Sequence, residues 1–187
     1  YASEAHLTKP ATDVVMVGVA SAPDRRPMKQ LDVTVTVADR RKTIRVFGDR
    51  VWEKGWIGVR MSAPLPFETI PLVYERAFGG VHEVNPEKKQ VSKPRMLPPP
   101  VGVGALSPSW EPRKSYAGTY DAVWQKTRAP YLPDDFNPRF FNVAHPDLVC
   151  HGYLKGGEPV EIVNASPNGP IRCALPTCRL EAAVRIG

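Results

Sequence analysis

The residues best suited to metal or nucleophilic chemistry are three cysteines and four histidines, and their spacing favours neither. Cys173 and Cys178, with His145, Cys150 and His151, offer thiolate and imidazole ligands. Structural zinc draws on tight paired knuckles, however, and adjacency turns His151 to the opposite strand face from Cys150. No metal and no cofactor are expected. No G-x-S-x-G elbow is present, and His6, His82, His145 and His151 carry no signature tying them to a serine or cysteine. Asp134 and Asp135 form the one adjacent carboxylate pair of interest, and a carbohydrate-active or other hydrolytic β-sandwich using them is the alternative to a non-enzymatic reading. The same pair serves equally as loop caps. Gly102-x-Gly104 lacks the preceding strand and following helix of a phosphate loop, and turn geometry explains it.

Aromatic and arginine side chains are denser in the apparent loops than any catalytic constellation. Tyr74, Arg76 and Phe78 precede Gly79 and Gly80. Further on come Tyr116, Tyr120, Trp124, Arg128, Tyr131, Phe136, Arg139, Phe140 and Phe141. Such residues are enriched at the hot spots of protein interfaces, although each ring is equally suited to filling a small core. The candidate partner-binding residues are therefore Arg76, Phe78, Gly79, Gly80, Tyr116, Tyr120, Arg128, Tyr131, Asp135 and Phe136. Trp124 is expected to anchor a short helix to the core, and Arg128 either to bind a partner carboxylate or to brace the loop at Asp134 and Asp135.

The elements that must position these residues are mostly strands. Val14 to Ala20 is a nearly all-apolar run between prolines, which reads as a strand buried on both faces. From Leu31, LDVTVTV alternates strictly, and Ile44 and Val46 resume the period after a polar stretch, predicting a hairpin with its turn at Asp39 to Lys42. Prolines recur from Pro86 to Pro112, so residues 82–115 read as a long proline-rich loop. One short helix is predicted after Thr119, with Thr119 as its cap, Asp121 in its first turn and Pro130 as its stop. Val160 and Ile162, then Ile171 and Leu175, then Leu180 to Ile186 give further alternating segments, with a turn at Pro167 to Gly169. The fold class is thus mostly β, an antiparallel sandwich-like single domain over residues 1–187. The 21 prolines and 14 glycines point the same way, because proline breaks helix interiors and ladders alike.

The net charge of +6 raises nucleic acid or an acidic membrane as partners. No helix-turn-helix, finger or aromatic-basic motif accompanies it, so neither is expected. Arg25, Arg26 and Lys29, then Arg40, Arg41 and Lys42, then Lys88 and Lys89 read as solvated charge in turns. An odd number of sparse cysteines fits a reducing compartment, the cytoplasm, and no run of apolar residues is long enough to span a bilayer.

Five segments in order carry a resemblance: KPATDVVMVGVASAP (Lys9 to Pro23), VFGDRVWE (Val46 to Glu53), PLPFETIPLVYERAFGG (Pro64 to Gly80), YAGTYDAVWQKTRAPYLPDDFNPRFFNVAHPD (Tyr116 to Asp147) and GYLKGGEPVEI (Gly152 to Ile162). Together they resemble the family called domain of unknown function 2169, found with type VI secretion genes in Gram-negative bacteria. The resemblance implies an adaptor or chaperone that performs no catalysis. Its partner would be a toxin effector or a PAAR-type spike-tip protein, mounted on the secretion spike in the cytoplasm, with the spike trimer a further candidate. It also implies that an N-terminal part of the family's domain is missing ahead of Lys9. Two stretches depart from the family pattern, Asn85 to Lys89 and Ala144 to Leu148.

Overall fold

In the computed structural model the alternating run from Leu31 folds as the first arm of a long hairpin. Residues 9–73 and 102–177 are described. In chain order the strands are β1 (Ala11–Asp13), β2 (Val19–Ser21), β3 (Gln30–Val37), β4 (Arg40–Phe47), β5 (Trp52–Lys54), β6 (Val59–Met61), β7 (Thr69–Pro71), β8 (Val149–His151), β9 (Pro159–Val163) and β10 (Ile171–Ala174). Among the described residues two short helices, α1 (Arg113–Tyr116) and α2 (Ala122–Thr127), interrupt them, with a few 3₁₀ turns. The architecture is mostly β and every strand pair is antiparallel, as the period-two patterns require.

The four-stranded sheet runs β10-β9-β3-β4, and β1–β8, β2–β7 and β5–β6 form separate two-stranded ribbons. Leu31, Val33, Val35, Val37, Ile44 and Val46 point to one face and are buried there. Each contributes about 1.5–3 kcal/mol by leaving water. Ala20 of β2 and Ile70 of β7, paired across their ribbon, close over this face together with Phe67, Val103 and Leu148. The opposite face of the hairpin is polar: Arg45 donates two bonds to the carboxylate of Asp32, and the hydroxyls of Thr34 and Thr43 meet at 2.8 Å.

Three expectations need correcting. The hairpin turn is Ala38–Asp39, not Asp39 to Lys42, because the ladder continues to the pair Val37↔Arg40. Ala38 accordingly takes a φ of 51°, as a tight two-residue loop demands. Arg40, Arg41 and Lys42 are therefore strand residues, and Lys42 lies opposite Val35 on the core face with 6% of its surface exposed. A cation is tolerated there because its ammonium reaches Asp147 at 2.8 Å.

The third correction concerns Val14 to Ala20, which is not one strand buried on both faces. Only its last two residues, Val19 and Ala20, join a ribbon, β1 having ended at Asp13, and Val15 and Val17 face solvent, Val17 with 88% exposure. Val14 and Met16 pack inward, and their N–H groups donate to the carbonyls of Leu148 and Val103. The segment is extended but one-sided.

Residues 102–106, the end of the proline-rich stretch, belong to the core through Val103 and Leu106, and α1 begins before that stretch ends. Residues 82–101 of it, Cys178 and the alternating segment Leu180 to Ile186 lie outside the described residues.

Candidate functional site

Residues 117–136 form an arm that stabilises itself rather than the core. Asp121, not Thr119, caps α2: its carboxylate accepts from the N–H groups of Val123 and Trp124 at 3.0 and 2.8 Å. Thr119 is instead held by Asp135, which accepts from the Thr119 N–H at 2.9 Å and from its hydroxyl at 2.7 Å. Those two donors, the backbone one foremost, push the Asp135 carboxyl below its ordinary range, so it is ionised. Gly118 sits beneath this bond at a φ of 80°. Any Cβ there would meet Asp135 and the backbone of Phe136 at 3.0 and 3.1 Å, so glycine is required.

No residue of α2 is buried, which corrects the expected anchoring of Trp124 in the core. The ring is half-buried against the arm itself: its Nε1–H donates to the carbonyl of Tyr131, and Tyr120 packs edge-on at 4.8 Å. The fold reason is that the arm closes on its own return segment, so the indole finds a partner without reaching the sheet. Arg128 pairs with Asp134 at 3.0 Å and donates to the carbonyl of Leu132, the internal brace among its two expected roles. Both carboxylates of the Asp134–Asp135 pair are thus engaged in holding loop geometry.

The remaining candidates divide by position. Tyr120, Val123, Tyr131 and Leu132 leave their side chains in solvent along the arm. Phe136 belongs to a cluster at the arm's base, with ring centroids 5.7 Å from Phe140 and 5.4 Å from Phe141. Tyr116 is half-buried beside a cleft. Arg76, Phe78, Gly79 and Gly80 lie outside the described residues.

The sequence reading missed the most exposed apolar pair among the described residues. The β5–β6 ribbon turns at Gly55-Trp56-Ile57-Gly58, closed by the Gly55 N–H on the Gly58 carbonyl at 2.8 Å. Trp56 and Ile57 occupy its tip with 106% and 98% exposure, and no residue of the ribbon enters the core cluster. A signal was present: two large apolar residues framed by glycines sit where turns normally carry Asn, Asp or Ser. Surface apolar side chains of this size mark interaction sites when they group.

At the other end of the core, Lys42, Asp147 and His145 make a compact polar cluster. The imidazole Nδ1 accepts the Asp147 N–H at 3.2 Å and so carries no proton itself. Burial first, then the charge of Lys42, and against the smaller pull of Asp147, lower the His145 pKa from 6.5 to about 4. Its 3.3 Å approach to the Asp147 carboxylate is therefore not an ion pair at neutral pH. Burial raises the Asp147 pKa, but the hydrogen bond and charge of Lys42, with His145 and Arg40, outweigh it and hold the carboxyl low.

A pH dependence follows. Between about 6.5 and about 4 the unfolded chain takes up a proton at His145 that the folded chain refuses, so stability falls as pH drops through that window. The ceiling is about 3 kcal/mol, and water at the open edge of the ring reduces it to roughly 1–2 kcal/mol. Urea unfolding at pH 7 and pH 5, where little more than half of that window has been crossed, should show a loss of roughly 1 kcal/mol, and His145→Gln should remove most of it.

Among the described residues no three His, Cys, Asp or Glu side chains are grouped as a metal ion would need. Cys150 is buried, Cys173 is exposed, and burial, with the charge of Asp39, pushes the Cys150 thiol up. No described helix is long and apolar enough to cross a membrane.

Fold and surface together define an antiparallel β module that carries exposed, internally braced aromatic projections. The chain belongs to the bacterial family described as uncharacterized protein conserved in bacteria (DUF2169), whose model matches residues 1–92 and 83–186. No curated protein and no solved structure matches it.

Proposed function

We propose that this chain is a non-enzymatic adaptor that binds a type VI secretion effector, or its PAAR-type spike-tip domain, in the cytoplasm and helps load it on the spike. Family membership supports the reading through the adaptor role that the resemblance implies. The single structural observation that carries it is the Trp56–Ile57 tip, where two side chains that favour burial stand in water. The arm adds Tyr120 and Tyr131, held rigid by its own bonds, so little ordering entropy is lost when a partner covers them.

Titration calorimetry of the purified chain against a PAAR-domain effector from its own host tests the proposal. The wild type should bind. The double variant Trp56→Ser/Ile57→Ser should lose about 2 kcal/mol or more, roughly thirtyfold, with its melting temperature unchanged. Failure of the wild type to bind any such effector counts against the adaptor role, and equal binding by the variant counts against the tip.

A further inference from the structure

The sheet β10-β9-β3-β4 ends on β10, and among the described residues that edge is open. Leu175 shows which way the backbone faces: its N–H donates to the Glu158 carbonyl at 2.9 Å, and its carbonyl accepts from the Gly157 N–H at 2.8 Å. Bonding direction alternates along a strand, so Ile171 and Cys173 also bond to β9, while Arg172 and Ala174 turn their N–H and carbonyl groups outward. No described residue bonds to those outward groups, and all of β10 is exposed. Pro170 and Pro176 bound the free stretch, since neither has an N–H to offer.

The side chains at this edge are uncovered as well. Ile171 continues the core-facing row of Val35 and Ile162, and Cys173 continues the row of Val37 and Val160. Burial fades along each row: Val35 and Val37 are buried, Ile162 and Val160 are half-buried, and Ile171 is 40% exposed. On the opposite face Arg172 is held by Glu161 at 2.7 Å. An open edge with an apolar strip on one side is a surface on which another strand pairs.

We propose that β10 pairs antiparallel with β10 of a second copy, about a two-fold axis through Cys173, to form a weak dimer. That register sets Arg172 opposite the partner's Ala174, so the two outward residues exchange N–H and carbonyl bonds across the axis. It also sets Ile171 against the partner's Leu175, which extends the apolar strip, and it keeps the two arginines apart. Other axes are worse. One through Arg172 opposes like charges and leaves the Ala174 carbonyl facing a proline, and one through Ala174 leaves the Arg172 carbonyl facing a proline. The match of register, charge and apolar pairing to itself selects a second copy over an unrelated strand. The inference goes beyond the adaptor reading, and the isolated chain is enough to test it.

So short a pairing covers less than a standard interface, and sedimentation equilibrium should give a Kd of about 10 µM to 1 mM. Ala174→Glu sets a carboxylate opposite the partner's Arg172 and should tighten the dimer about three- to tenfold, whereas Ala174→Lys should loosen it by a similar factor. Arg172→Pro removes an outward N–H that β9 does not use, so association should be lost while the monomer still melts cooperatively. Should that proline disturb β10, the Ala174 variants still decide. At the axis the two copies of Cys173 form a non-hydrogen-bonded pair, with Cα atoms about 4.5 Å apart, within reach of a disulfide. With Cys178→Ser as background, diamide should link two chains there: the two thiols give up their protons and an electron each, one S–S bond forms, and the N=N bond of diamide is reduced to a hydrazine. Moving the thiol one place, by Arg172→Cys with Cys173→Ser, should stop the linkage. A chain still monomeric at about 1 mM, equal association of the two Ala174 variants, or equally fast linkage from position 172 would overturn the proposal.

Discussion

Asp13→Ala should lower the stability of the domain by about 3–5 kcal/mol, a large share of the roughly 5–15 kcal/mol that holds a typical domain folded. The Asp13 carboxylate, 4% exposed, accepts from the N–H of Val143 at 2.9 Å, the N–H of Ala144 at 3.1 Å and the side chain of Asn142 at 3.1 Å, and pairs with Lys9. It clasps β1 to a segment about 130 residues further along the chain. Removing it orphans two backbone donors in a place where water has little access, and each stays desolvated without return, while Lys9, only partly buried, loses its counter-charge. Asp13→Asn keeps one accepting oxygen and loses the charge, so it should fall between alanine and wild type. Urea unfolding followed by circular dichroism reads both, and a loss under about 1 kcal/mol for alanine would show that the clasp does not hold the fold.

Gly48→Ala should cost about 1–3 kcal/mol or more, although alanine is the smallest possible addition. A Cβ at Gly48 would stand 1.7 Å from the carbonyl oxygen of Leu65 and 2.9 Å from its carbon. The obstacle is backbone, so no side-chain rotation relieves it. The crossing is pinned on both sides, by the Gly48 N–H on Lys29 and the Leu65 N–H on Asp49, each at 3.0 Å, so any shift weakens those bonds as well. Gly104→Ala is the matched control. Nothing lies within 4 Å of its Cβ and its φ is not in the left-handed region, so that change should be neutral or slightly stabilising by restricting the unfolded chain. Similar losses at the two glycines would show that the close approach at Gly48 is not what matters.

The hairpin was legible because its signal is local. Leu31, Val33, Val35 and Val37 alternate against polar neighbours, and a one-residue slip would turn all of them to water, so the pattern fixes the strand and its inner face together. The β9–β10 hairpin was legible for the same reason, as was a short helix near Trp124 stopped by Pro130. The helix cap was displaced from Thr119 to Asp121 by a competitor in space: Asp135, distant in sequence, takes the Thr119 hydroxyl, and the local pattern contains no trace of that.

The candidate surface was legible in part, as a composition rather than a shape. Tyr120 and Tyr131 could be picked out as aromatic loop residues, but whether a ring faces water depends on what packs over it. Phe136 went to a ring cluster, Trp124 to its own return loop, and Trp56 and Ile57 to the tip of a ribbon.

By itself, then, the sequence determined the strand alternation, the antiparallel β class and the family, because period-two burial, proline placement and ordered segments are properties of neighbours along the chain. Only the tertiary structure decided that Lys42 is a buried cation over Asp147 and that Asp13 holds Asn142 to Ala144. Each of those pairs a charge or a polar atom with a partner far away in sequence. A residue's chemistry is written in its own side chain, but its burial and its partner are set by the segment that folds over it, and no local period encodes that segment's arrival.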